Sequence, residues 1–223
     1  MYNLLRLMIL ALTVSISLNA AAQTAPLSDC KIEYKIDLND PKMDPMAKMM
    51  MSTAKMSIGF LGKKSRVEMN MNAMMKTVAI SDESTKKSLV LMDMLGQKKA
   101  MVPKDDPTEF KNRYNSTSTK TGKTKTIAGY TCSEYIVKTT DGDQLEMWCT
   151  TAIKPQSTAT DFSFKNVEGF PLQMELNQDG MKIKMIATKV IPGKIDATLF
   201  STTVPAGYQL TTQEEMMGDF GGK

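Results

Sequence analysis

The sequence contains no histidine. Imidazole is the base of Ser-His triads and the commonest protein metal ligand, so its absence excludes such triads and imidazole metal sites. The chain also lacks a nucleophile elbow, a P-loop and a dinucleotide fingerprint. Its lysines and carboxylates are interspersed at a formal net charge of +4, without a basic block that would bind nucleic acid. We therefore expect no cofactor, no nucleic-acid partner and no catalytic residue.

Long apolar runs are absent too, with one exception at the amino terminus, from Leu7 to Leu18. Arg6 precedes this run and Ala20 to Ala22 follow it, which completes the three parts of a secretory signal peptide. The run is shorter than the roughly 20 apolar residues that a transmembrane helix needs. We predict a signal peptide over residues 1–22, cleavage after Ala22, and a mature protein in a bacterial periplasm.

The remaining sequence alternates between apolar and polar residues along most of its length, which is typical of half-buried β-strands. Residues 30–38 show the pattern most clearly, and turns such as Asp141-Gly142 separate short strands at meander spacing. Residues 103–126 are polar and predict a surface connection with one edge strand. Ile195–Phe200 predicts one helical turn.

About ten such strands predict a mainly-β fold, a single curved antiparallel sheet or half-barrel with a few short helices. We place this domain at residues 23–211 and a flexible carboxy-terminal tail at 212–223.

Four short motifs in the second half resemble a known family. They are Ile127-Ala128-Gly129-Tyr130-Thr131-Cys132, Trp148 in the returning strand, Asp196 with Leu199-Phe200, and Pro205-Ala206-Gly207-Tyr208. Together with the strand Val67–Met71 and Met101, they resemble family 4412 of exported bacterial proteins, whose domain has no known function. That family is similar to the periplasmic lipoprotein carrier LolA and its outer-membrane receptor LolB. The resemblance implies a LolA-like half-barrel around an apolar cavity that short helices close, and it implies no catalytic residues.

Methionine is unusually abundant, with 21 residues in clusters. Its unbranched thioether side chain fills irregular cores, and it also re-packs around varied apolar guests. Core packing explains single methionines, whereas a ligand surface explains their total number better. We therefore predict a non-enzymatic, monomeric protein that binds a lipid or acyl chain in a methionine-lined hollow. The predicted lining residues are Met56, Ile58, Val67, Met69, Met71, Leu91, Met101 and Met185.

Two other functions remain open. Thioethers are soft ligands, so the segment Met43–Met56 is a candidate Cu(I) site. Spacing of three residues would place Met43, Met46 and Met49 on one face of a helix, with Met50 beside them. The second alternative is a structural or envelope partner protein with no small ligand, marked by a filled interior and one exposed apolar patch.

The three cysteines predict one disulfide and one free thiol in an oxidising compartment. Cys132 and Cys149 are the best pair because both lie on one predicted hairpin. However, a three-residue loop at Gly142 sets Ser133 opposite Cys149, so this bond requires a bulge or a different turn. Pairs that include Cys30 remain possible.

Two carboxylates, Glu134 and Glu146, lie on the same hairpin, and Trp148 shares a strand face with Glu146. A catalytic pair would need a set separation across a cleft. We interpret these carboxylates as solvated surface groups.

Overall fold

The computed structural model of the chain describes residues 25–39, 43–44, 53–72, 74–103, 116–139, 143–158, 164–178 and 181–218. These residues form twelve strands in one sheet, a 3-10 turn and an α-helix. In chain order the strands are β1 (Cys30–Asn39), β2 (Lys55–Leu61), β3 (Lys64–Met71), β4 (Met75–Asp82), β5 (Lys87–Met94), β6 (Gln97–Met101), β7 (Thr117–Ile127), β8 (Tyr130–Lys138), β9 (Gln144–Thr150), β10 (Phe170–Gln178), β11 (Met181–Pro192) and β12 (Gln209–Leu210). The 3-10 turn is Ala197–Phe200, and the helix α1 is Gln213–Gly218.

The strand β1 lies inside the sheet and joins two antiparallel meanders. The first meander, β2–β6, continues from one edge of β1, and the second, β7–β11, returns so that β11 pairs with the other edge. The short β12 lies where the sequence predicts a last strand, but it pairs with β6 in parallel, and the sequence did not predict that pairing. The strand order runs from β12 at one edge to β7 at the other, so the sheet is open.

The sheet curls strongly around the buried face of β1, which carries Ile32, Tyr34 and Ile36. Phe60 of β2 and Phe170 of β10 lie three strand spacings apart, or about 14 Å in a flat sheet. Their ring centroids are nevertheless only 5.4 Å apart. The Tyr34 hydroxyl also crosses this interior and donates to the Pro171 carbonyl oxygen at 2.9 Å. The face of β2 that carries Phe60 is therefore the concave one.

Three register shifts help to bend the sheet, because a bulge bends its strand and increases the local twist. One lies between Glu33 and Tyr34 of β1, one between Lys120 and Thr124 of β7, and one at Pro171 in β10. Proline has no N–H to donate to a ladder, so a bulge is a natural place for it.

Residues 193–212, which we name the C-terminal strap, cross the convex face of the first meander. Phe200 is 1% exposed and packs against Val78, Ile80 and Leu89 of β4 and β5. Arg66 Nη1 donates to the Leu199 carbonyl oxygen at 3.0 Å. Gly59 allows this approach, since a Cβ there would lie 2.8 Å from Ile195 Cδ1.

The resemblance motifs explain how the strap is built. Asp196 caps the 3-10 turn by accepting a hydrogen bond from the Thr198 N–H at 2.9 Å. Gly207 adopts a φ of 83°, which permits the bend before β12. Tyr208 then packs against the same apolar cluster as Phe200.

The helix α1 lies in the segment 212–223, for which the sequence predicts a flexible tail. The Thr212 hydroxyl accepts from the Glu215 N–H at 3.2 Å, and the Glu215 carboxylate accepts from the Thr212 N–H at 3.2 Å. This reciprocal pair is a capping box, which stabilises the first turn of a helix. Met216 is then buried at 4% exposure.

The mainly-β character and the single curved sheet are confirmed, and β7 is an edge strand as predicted. The predicted few short helices are not borne out, because the described residues contain only the 3-10 turn and α1. None of the helices in those ranges has the length and apolar character to cross a bilayer. The predicted signal peptide lies outside the described residues.

Candidate functional site on the methionine face

The strand methionines share one face of the sheet. Directly opposite residues in a ladder point to the same side, and side chains alternate along each strand. Met56 is opposite Met69, Met71 opposite Met75, and Met75 opposite Met94. Through β1 and into the second meander, the strand register places on this side every strand methionine whose side chain the structure describes: Met56, Met69, Met71, Met75, Met92, Met94, Met101, Met147, Met174 and Met185. We name this concave surface the methionine face.

Seven of the eight predicted lining residues lie on the methionine face. Met56, Ile58, Val67, Met69 and Met71 form one patch on β2 and β3. Met101 lies on β6, and Met185 lies on β11 opposite Ile36.

Leu91 is the exception. It lies opposite Val78 and Ala100 and packs in the convex cluster under the strap. The strand β5 is apolar on both faces, so periodicity cannot assign its sides, and placing Leu91 in the hollow was wrong.

Five methionines of this face were not predicted as lining residues: Met75, Met92, Met94, Met147 and Met174. Assigning them to this face requires the cross-strand register, and the alternation along a single strand does not provide that register. Across β4, Met69 of β3 is in register with Met92 of β5, and Met71 is in register with Met94.

The methionines of this face fall into a buried group, which we name the floor, and a half-buried group around it. Met56, Met92 and Met147 are at most 7% exposed. Met69, Met71, Met75, Met94, Met101, Met174 and Met185 are half-buried. Thioethers that remain partly accessible can contact a guest without unpacking the floor.

The half of the face over the second meander is covered by its own chain. Phe164 and Val167 pack against the cluster formed by Tyr135, Val137 and Met147. The accessible part of the methionine face therefore lies over β2–β6 and β11.

The three cysteines are free thiols buried in the interior. Ser133 lies opposite Cys149, so the register places Cys132 one residue out of step and on the other side of β8. The predicted Cys132–Cys149 disulfide is therefore not formed, for the register reason already visible in the sequence.

Burial raises the pKa of the Cys30 and Cys132 thiols to about 11 and that of Cys149 to about 12. Burial, and then these thiols, also raise the pKa of Tyr34 well above its ordinary value. Because the thiolate is the nucleophile, these sulfurs are inert at neutral pH.

The carboxylates of the β8–β9 hairpin are held in separate contacts on the convex face. Glu134, only 4% exposed, accepts from the Thr121 hydroxyl at 2.5 Å and pairs with Lys123 Nζ at 3.1 Å. The Thr121 hydrogen bond is the main cause that lowers the pKa of Glu134. Glu146 instead accepts from the Trp148 indole N–H at 2.6 Å.

A lysine side chain covers Trp148. Lys125 Nζ lies 3.8 Å from the centroid of the indole ring and donates to the Gln173 side-chain oxygen at 2.8 Å. Burial of the Lys125 ammonium group lowers the pKa of this side chain. Trp148, which belongs to the main hydrophobic cluster, is thus bordered by polar contacts on the convex face of the second meander.

Among the described residues, no three His, Cys, Asp or Glu side chains come together as a metal site. The predicted Cu(I) segment falls mostly outside those ranges, since Met43 is described and residues 46, 49 and 50 are not. Copper binding there stays a prediction.

The geometry places this protein in the class built on one open, curled antiparallel sheet, here with a methionine-lined concave face. Residues 42–166 match the family model described as "Domain of unknown function (DUF4412)", so the chain belongs to that family. The family resemblance is thus confirmed. The matched residues include β2–β6, over which the accessible part of the face lies. No curated protein matches the sequence.

Several solved structures are similar. PNGF-II in a P21 crystal form has 15% identity and a TM-score of 0.51, and the alignment covers 86% of this chain and 33% of that chain. This chain thus spans about a third of the length of PNGF-II, and the likeness concerns the fold alone.

MucB has 11% identity and a TM-score of 0.38, with 80% and 58% of the two chains covered. A LolA superfamily protein from Nitrosomonas europaea has 7% identity and a TM-score of 0.24, with 79% and 91% covered. No conclusion about function follows from scores of this size.

Proposed function

We propose that this protein is a non-enzymatic, exported binding protein of the bacterial periplasm that holds an apolar ligand, a lipid or acyl chain, on the methionine face. The observation that carries the proposal is the placement of all ten described strand methionines on one side of the sheet. Core packing alone does not require such segregation, because the convex face of the first meander is a core as well and uses Val78, Ile80, Leu89 and Leu91.

The energetics suit a flexible chain. Each methylene group removed from water contributes about 0.8 kcal/mol, so eight of them contribute roughly 6 kcal/mol before the cost of association. Thioether side chains adapt to guests of different shape because they are unbranched and polarisable. The half-buried Met69, Met71 and Met94 lie in the accessible half and supply such a surface.

A charge on the methionine face should abolish ligand binding. The test compares the wild type with the double variant Met69→Asp and Met71→Asp in the mature protein, titrated with a fluorescent acyl-chain probe. Two carboxylates would face the ligand without partners, so we expect affinity to fall by at least about a hundredfold.

The matched control is Asn70→Asp, which adds a charge between the same two positions but on the convex side, where Asn70 is exposed. Its affinity should equal that of the wild type. Circular dichroism must show that all variants keep the sheet. Unchanged binding by the double variant in a folded protein would contradict the proposal.

A Cu(I) titration of the same proteins separates the metal alternative. Tight Cu(I) binding that is lost when residues 43–51 are deleted, without uptake of the acyl probe, would assign the function to that segment. Absence of both activities would favour the structural or envelope-partner role.

A further inference from the structure

Four methionines lie at one end of the methionine face. Met71, Met75 and Met94 lie side by side on β3, β4 and β5. Met74, in the turn between β3 and β4, is 42% exposed. The Leu95 N–H donates to the Met74 carbonyl oxygen at 3.0 Å, which ties this turn to the β5–β6 turn. We name this group the methionine rim.

The rim differs from the floor of the same face in access to solvent. Met71, Met75 and Met94 are half-buried, and Met74 is exposed. Met56, Met92 and Met147 are buried. A small oxidant in water therefore reaches the rim before the floor, although all these side chains share one chemistry.

The thiols do not compete for such an oxidant. Cysteine normally reacts first because its thiolate is the stronger nucleophile. Here Cys30 and Cys132 are 0% exposed and Cys149 is 3% exposed, and burial raises the pKa of all three. The accessible reduced sulfur among the described residues is thus methionine sulfur, concentrated on one face.

We propose that the methionine rim is a modification site at which hypochlorous acid converts Met71, Met74, Met75 and Met94 to sulfoxides, and that this conversion releases the apolar ligand. The second half of this proposal rests on the proposed function. In the net step the thioether sulfur loses two electrons and gains the oxygen atom of HOCl. The chlorine leaves as chloride, and one proton passes to water.

The sulfoxide changes the character of the face. It replaces an apolar, flexible side chain by a polar one. An acyl chain lying on the rim would then bury the S=O oxygen without a hydrogen-bond donor, which is costly. Methionine sulfoxide reductases restore the thioether, so the change is reversible.

The first experiment maps the modification without any ligand. The mature protein is treated with limiting HOCl, and peptide mass spectrometry measures oxygen addition at each sulfur. We expect the four rim methionines to react at least about fivefold faster than Met56, Met92 and Met147, with no oxidation of the cysteines. Equal rates for rim and floor, or cysteine oxidation first, would overturn the assignment of the rim.

The second experiment measures uptake of the fluorescent acyl probe before and after this treatment. Oxidised protein should bind at least about tenfold more weakly, and sulfoxide reductase should restore the affinity. A variant with Met71, Met74, Met75 and Met94 all replaced by leucine keeps an apolar rim of similar volume. Whatever affinity this variant has before treatment, the treatment should not change it, because no sulfur remains at the rim.

The two failures are distinguishable. If untreated protein binds no probe, the proposed function fails and the release step fails with it, whereas the oxidation map is decided by the first experiment alone. If untreated protein binds the probe and rim oxidation leaves its affinity unchanged, the release step is wrong and the proposed function stands.

Discussion

The two meanders that β1 joins differ on both of their faces. In the first, β2–β6, the concave face carries half-buried methionines and the convex face is an apolar core under the C-terminal strap. In the second, Phe164 and Val167 cover the concave face, and the opposite face carries the polar contacts of Glu134, Glu146 and Lys125 around Trp148. One sheet thus combines a half whose concave face stays accessible with a half that is closed by its own chain, and this locates the candidate site on the first.

The strap explains how the first meander can leave its concave face accessible. A sheet needs one face buried to be stable, and the strap supplies that burial on the convex side. Phe200, Ile195 and Tyr208 pack there against β4–β6. The methionine face is therefore not the only apolar layer that holds this half together.

The largest effect is expected from a substitution that weakens the docking of the C-terminal strap on the sheet. Phe200→Ala removes a ring that is 1% exposed, so we expect the free energy of unfolding to fall by about 3–5 kcal/mol. Leu199→Ala, one residue away and 45% exposed, should cost less than about 1 kcal/mol. Urea denaturation measures both. Equal losses would show that the strap does not dock through Phe200.

A smaller effect tests the contacts of Glu134 on the convex face of the second meander. Folding lowers the pKa of Glu134 below its ordinary value of 4.5, so the carboxylate stabilises the native state above that pH. The stabilisation is lost as the pH falls through the lower, folded-state pKa. At pH 7, Glu134→Gln should cost about 1 kcal/mol, because Gln cannot pair with Lys123.

Denaturation from pH 7 to pH 3 checks this sign. The difference between the wild type and Glu134→Gln should shrink below about pH 4.5 as the native carboxylate takes up its proton. A difference that grows on acidification would contradict the ion pair described here.

Local pattern predicted much of the fold, because strand alternation and turn residues are short-range signals. It identified nearly all the strands, the edge position of β7 and the register that sets Ser133 opposite Cys149. The pairing of β1 with β11 joins residues about 150 positions apart, and no local signal encodes it. The wrong placement of Leu91 has a similar cause, because both faces of β5 are apolar and alternation cannot tell them apart.

One signal was readable in the sequence and was missed. Thr212 and Glu215 have the spacing of a capping box, and they start α1 where a frayed tail was predicted. The strap, in contrast, depends on tertiary contacts such as Ile195 over Gly59. Most of the methionine face followed from alternation, but its extent required the register.

The most direct test of the central claim is native mass spectrometry of the mature protein, purified from periplasm without detergent. We predict a co-purifying mass in the lipid range that is present in the wild type and absent from the double variant Met69→Asp and Met71→Asp. Fragmentation of that mass would identify the ligand. A wild-type protein that carries no such mass, and acquires none on incubation with lipid vesicles, would contradict the account.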